Sequence, residues 1–85
     1  MKAVIWSKPD CPHCVTAQTL LKNKGYEVEE RKLGFGWNRE QLFGAVPNAR
    51  SVPQIFINDE YIGGLSELKT KFDRENILQG SKNAN

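Results

Sequence analysis

Two short apolar runs, Val4-Ile5-Trp6 near the start of the chain and Ile55-Phe56-Ile57 past its middle, limit most narrowly what this sequence can fold into. Both are β-branched and aromatic, and turn-forming residues bound them: Ser7, Pro9 and Asp10 after the first, Asn58-Asp59 after the second. Runs of this length and composition read as buried strands and not as helices. Eighty-five residues leave room for one compact core, so the remaining segments have to cover these strands.

The pieces between them follow from spacing. Residues 2–6 form the first strand. Pro12 suits the first turn of a helix, where its missing N–H removes a donor that has no partner anyway. Val15, Ala17, Leu20 and Leu21 then share one helical stripe, Lys22 and Lys24 sit where cations favour the dipole, and Gly25 closes a helix over residues 12–24. Residues 26–32 alternate imperfectly, with Tyr26, Val28 and Leu33 apolar, as expected of a partly exposed strand nearer the sheet edge. Asn38 caps a short helix over residues 39–46 that buries Leu42 and Phe43 and stops before Pro47. Residues 51–57 make the next strand, with Pro53 near its start, a position at which a cis peptide bond is among the options. Asn58-Asp59 turns it into a hairpin with Tyr61-Ile62-Gly63, and Ser66 caps a last helix with Leu65, Leu68 and Phe72 inward. The order is βαβ-α-ββ-α, an α/β domain over residues 1–80 with a frayed polar tail over 81–85.

Charge and hydropathy exclude several classes of function. Twelve basic and ten acidic side chains, interleaved along the chain, give a net charge of +2, too weak and too mixed for a nucleic-acid partner. The longest apolar run, residues 3–6, is far below the roughly 20 residues that cross a bilayer, and no apolar signal segment opens the chain. A cytoplasmic protein without membrane contact is expected. In that reducing setting a lone pair of cysteines is catalytic or metal-binding before it is a structural staple.

Those cysteines stand in Cys11-Pro12-His13-Cys14, which also holds the only histidine. Cys11 falls at the helix start, where unpaired N–H groups and the dipole favour a thiolate, and Cys14 lies one turn further in, more covered. One thiol can therefore attack a disulfide and the other resolve the mixed disulfide. Lys8 and a protonated His13 would lower the Cys11 pKa further, and Asp10 would oppose them; His13 is equally well an exposed spacer. A closed zinc site needs four ligands, and two thiols with a histidine lodged between them do not supply it. No metal is expected, although an iron–sulfur cluster bridging two chains remains an alternative.

Three blocks, Lys8-Pro9-Asp10-Cys11-Pro12-His13-Cys14, Ser51-Val52-Pro53-Gln54-Ile55-Phe56-Ile57 and Ile62-Gly63-Gly64-Leu65-Ser66-Glu67-Leu68, resemble in order and spacing the signature blocks of the dithiol glutaredoxins. The resemblance implies a thioredoxin-like fold, a four-stranded mixed sheet flanked by about three helices. It implies catalysis by Cys11 as nucleophile and Cys14 as resolving thiol, with His13 as a residue that could tune them. It also implies a glutathione site: Lys8 facing the glycine carboxylate, the Val52 backbone pairing with the tripeptide beside a cis Pro53, and Gly64, Ser66 and Glu67 at the γ-glutamyl end. In two places the chain departs from the usual pattern. His13 replaces the common Tyr or Phe, so that Cys-Pro-His-Cys resembles the motif of strongly oxidising periplasmic thiol oxidases, and Glu67 replaces the commoner Asp. The first bears on redox potential, the second on glutathione affinity.

The function that this resemblance implies is glutathione-dependent reduction of protein disulfides and protein–glutathione mixed disulfides by a monomer, with glutathione as co-substrate and ribonucleotide reductase among the clients. The alternatives are a redoxin served by thioredoxin reductase and a dimer carrying a [2Fe–2S] cluster.

Overall fold

The computed structural model describes residues 1–83, with side chains described through Glu75. Seven elements follow one another: β1 (Lys2–Ser7), α1 (Pro12–Asn23), β2 (Glu27–Lys32), α2 (Arg39–Ala45), β3 (Gln54–Ile57), β4 (Glu60–Gly63) and α3 (Leu65–Asn83). Helix α3 is described past Gly80, where the frayed tail was expected to begin; residues 84–85 of that tail lie outside the described residues.

The strands lie in the order β2-β1-β3-β4. The two apolar runs are the two inner strands. They pair antiparallel with Ile5 opposite Ile55 and Val4 opposite Phe56. β2 pairs parallel with β1 at one edge, as a βαβ unit requires, and β4 closes the other edge as a hairpin with β3. The hairpin turn is Asn58-Asp59, both with positive φ (49° and 67°), the geometry of a two-residue type I′ turn.

Side-chain alternation divides the core between the sheet's faces. Ala3, Ile5, Ile55 and Ile57 point to one side, against Ala17 and Leu21 of α1 and Leu68 and Phe72 of α3. Burying one such aliphatic side chain is worth about 1.5–3 kcal/mol. On the other side Trp6 packs with Leu42 and Val46, and Val4, Phe56 and Trp37 close around them. Arg31 lies over both indoles, 4.6 Å from the Trp37 ring and 5.3 Å from the Trp6 ring. Among the described residues no helix is long and apolar enough to cross a membrane.

Four local expectations change. Val15 is 64% exposed, because α1 turns Cys14, Ala17 and Leu21 inward, a stripe one position away from Val15. Phe43 is 47% exposed, because the seven-residue α2 presents only Leu42 to the sheet. β3 begins at Gln54, not at residue 51, since Pro53 has no N–H for the ladder and the first pair is Trp6 with Gln54. Ser66 is not the cap of α3: the Gly64 carbonyl already accepts the Leu68 N–H at 3.0 Å, so Gly64 is the cap and Ser66 lies in the first turn.

Candidate active site

The turn after β1 carries Asp10 in the left-handed region (φ 55°) and delivers Cys11 to the end of α1 with extended backbone (φ −119°, ψ 92°). Cys11 is the N-cap. Its Sγ accepts the Cys14 N–H at 3.2 Å, and Pro12 stands at the first helical position, where no N–H is needed. In this oxidised state Cys11 and Cys14 form a disulfide, with Cα atoms 5.3 Å apart. Cys14 is 2% exposed and Cys11 9%, so a reacting group reaches the first sulfur before the second. The Cys14 N–H and the positive end of the α1 dipole thus both face the Cys11 sulfur.

Cys11 faces the segment that precedes β3. Its Sγ lies 3.9 Å from the carbonyl oxygen of Val52, and the Val52-Pro53 peptide bond is cis. From there a groove of about 540 Å³ runs to the start of α3, lined by His13, Ser51, Val52, Pro53, Gly64, Leu65, Ser66, Glu67 and Lys69. The fold thus gathers six expected residues, His13, Val52, Pro53, Gly64, Ser66 and Glu67, from three distant stretches of chain. Lys8 is not among them. It lines an adjoining pocket of about 240 Å³, which meets the groove at Ser51 and Val52.

The far end of the groove is built on close backbone approach. A Cβ on Gly64 would lie 3.3 Å from the Pro53 carbonyl oxygen, and one on Gly63 (φ 120°) would meet Glu67 Cγ at 2.9 Å. Glu67 folds back over this corner. Its carboxylate accepts the Gly64 N–H at 2.7 Å and the Ser66 hydroxyl at 3.0 Å, and these two donors, the backbone N–H foremost, hold its carboxyl below the usual range.

A second acid anchors the cysteine segment from below. Ser7, fully buried at the end of β1, donates to Glu30 Oε2 at 2.6 Å, and Gln18 Nε2 of α1 donates to the same oxygen at 2.8 Å. One carboxylate of β2 therefore ties both ends of the stretch that carries Cys11 and Cys14. The Ser7 hydroxyl is the main cause that lowers the Glu30 pKa, with Gln18 contributing and partial burial opposing.

Sequence reasoning missed Glu30, Lys69, Arg39 and Arg50. Lys69 stands three residues after Ser66 and so shares its helix face, a signal that was legible. Arg39 and Arg50 line the Lys8 pocket only because α2 and the loop after it fold together, which no local pattern announces. No group of three or more His, Cys, Asp or Glu placed to hold a metal ion occurs among the described residues.

A family model described as glutaredoxin matches residues 3–62. A probable glutaredoxin of Synechocystis sp. is 40% identical over 68 residues, covering 79% of this chain and 77% of that protein. Among solved structures, glutaredoxin 1 from Francisella tularensis complexed with cacodylate superposes with a TM-score of 0.72 at 30% identity, covering 92% of this chain and 96% of that one. A buckwheat glutaredoxin–glutathione complex superposes with a TM-score of 0.75 over 91% of this chain and 73% of that one; at 22% identity this is a likeness of fold.

Proposed function

The chain belongs to the glutaredoxin family of thiol–disulfide oxidoreductases, and we propose that it uses glutathione to reduce protein disulfides and protein–glutathione mixed disulfides. The observation that carries this reading is the Cys11 sulfur at the α1 N-cap, 3.9 Å from the Val52 carbonyl at the edge of the groove.

In the dithiol reaction the Cys11 thiolate attacks one sulfur of a client disulfide. A Cys11–client disulfide forms and the client's other sulfur leaves as a thiolate that water protonates. Cys14, after losing its proton, attacks Cys11 Sγ, closes the Cys11–Cys14 disulfide and releases the second client thiol. Two electrons and two protons have then passed to the client. Two molecules of glutathione restore the dithiol, the first by forming a mixed disulfide on Cys11, the second by attacking it to give glutathione disulfide. On a protein–glutathione mixed disulfide, Cys11 takes the glutathione sulfur directly and the protein thiol leaves.

In this reading Lys8 faces the glycine carboxylate, the Val52 backbone beside cis Pro53 pairs with the tripeptide, and the start of α3 holds the γ-glutamyl end. There Gly64 permits the approach, Ser66 supplies a hydroxyl and Glu67 supplies the acid for the ammonium. A bound ligand carboxylate would draw the Ser66 hydroxyl and the Gly64 N–H away from Glu67. Glutaredoxins have potentials of about −200 to −230 mV, at or above the cytosolic glutathione pool, so that pool keeps such a dithiol reduced. The protein then acts as a reductant in a reducing compartment, with ribonucleotide reductase among its clients.

Coupled assays test the proposal. With glutathione, glutathione reductase and NADPH, the protein is expected to consume NADPH on a mixed-disulfide substrate. Turnover supported by thioredoxin reductase alone, with none from glutathione, would contradict it.

A further inference from the structure

Tyr61 stands on the edge strand β4, opposite Phe56 in the ladder, with the two rings 5.4 Å apart. It is half-exposed, but its hydroxyl turns back over the sheet and donates to Gln54 Oε1 at 2.6 Å. Gln54 is buried at the first position of β3, and its Nε2 donates to the Ser51 carbonyl oxygen at 2.9 Å. Of the two ends of the amide only the nitrogen can donate to a carbonyl, so Ser51 fixes its orientation and makes the Tyr61 hydroxyl the donor to the other end. Two hydrogen bonds in series thus run from the sheet edge to the turn before Pro53.

That turn forms the groove wall that faces Cys11, and it precedes the ladder, since β3 starts at Gln54. Outside the ladder, and apart from the Cys11 contact with the Val52 carbonyl, the Gln54 side chain makes the one hydrogen bond to the backbone of Ser51 and Val52 among the described residues. It acts on a planar unit. The Ser51–Val52 peptide is trans, so holding its carbonyl toward Gln54 points the Val52 N–H the opposite way. That N–H makes no hydrogen bond among the described residues, which leaves it to a ligand. We infer that Tyr61 is a positioning residue: acting through Gln54, its hydroxyl sets the plane of the Ser51–Val52 peptide and so governs how tightly a glutathionyl group pairs beside Cys11, without altering the Cys11 thiolate. The inference rests on the reading of the groove as a glutathione site.

The test compares Tyr61→Phe with the wild type. Phenylalanine keeps the ring against Phe56 and removes only the hydroxyl, so the variant folds as the parent does. Turnover of a glutathionylated peptide is measured with glutathione, glutathione reductase and NADPH, beside the pH profile of Cys11 alkylation by iodoacetamide in the reduced protein. Losing one such hydrogen bond should raise KM about fivefold in Tyr61→Phe, with kcat within about twofold and the alkylation profile in place. Gln54→Leu should raise KM by about as much, and Tyr61→Phe/Gln54→Leu no further, because both substitutions break the same connection. If Gln54→Leu does not fold, Tyr61→Phe decides alone. An unchanged KM in Tyr61→Phe, a fall in kcat with KM unmoved, a displaced alkylation profile, or effects that multiply in the double variant overturns the positioning role and leaves the glutathione reading standing. Absence of turnover by the wild type overturns the glutathione reading, and the positioning role with it.

Discussion

In the proposed reaction Cys11 serves two roles at one atom: its sulfur caps α1 and attacks the client disulfide. Serine is a good N-cap, so Cys11→Ser should keep the fold while disulfide reduction falls at least about a thousandfold, read by circular dichroism beside the coupled assay. Cys14→Ser should separate the two reactions: protein–glutathione mixed disulfides are still reduced, because Cys11 and glutathione suffice, while client disulfides are not. Gly63 tests the groove's far corner. Its φ of 120° and the 2.9 Å approach of a Cβ to Glu67 Cγ make Gly63→Ala destabilising by about 1–3 kcal/mol in urea unfolding. Glu30 tests the anchor. Its folded pKa lies below the usual 4.5, so its contribution to stability is present above the unfolded value and is lost as pH falls through the folded one. Glu30→Gln should therefore flatten the acid limb of stability against pH, below about pH 4.5.

At the scale of elements, α2 is fixed by its N-terminal cap and by Leu42 packed in the Trp6 cluster. Asn38 accepts the Gln41 N–H at 2.8 Å while Gln41 Oε1 accepts the Asn38 N–H at 2.9 Å, a reciprocal capping box. Asn38→Ala should cost about 1 kcal/mol in thermal or urea unfolding. Asn38 was legible as a cap because its side-chain chemistry acts within four residues. The inward face of α2 was not, because apolar character at adjacent Leu42 and Phe43 does not say which one meets the sheet. Ser66 shows the same limit. A serine ahead of an apolar stripe suggests a cap, but Gly64, two residues earlier, takes the position and Glu67 satisfies its N–H. The strands were the most legible elements: the two apolar runs are the two inner strands, and Asn58-Asp59 announced the hairpin.

At the scale of the whole molecule, the site joins three stretches that are separate in sequence: the Cys11 cap, the turn at Val52-Pro53 and the first turn of α3. Each was visible as a motif because it carries unusual residues, a cysteine pair, a proline before a strand and paired glycines. What joins them, the passage from Cys11 past Val52 to Glu67, depends on the pairing of β1 with β3 and on the packing of α3 behind them. The same pairing carries Lys8 into the adjoining, cation-lined pocket, which local pattern could not foresee. The central claim is that this groove presents glutathione to Cys11. The most direct measurement is to mix Cys14→Ser with glutathione disulfide and follow adduct formation by intact-protein mass spectrometry, beside Cys14→Ser/Lys8→Glu. The expected result is one glutathione per chain on Cys11, formed at least about tenfold faster than on the Lys8→Glu partner, since reversing a charge at a carboxylate contact repels the ligand. Adduct formation on Cys11 at the same rate in both proteins, or none at all, would contradict it.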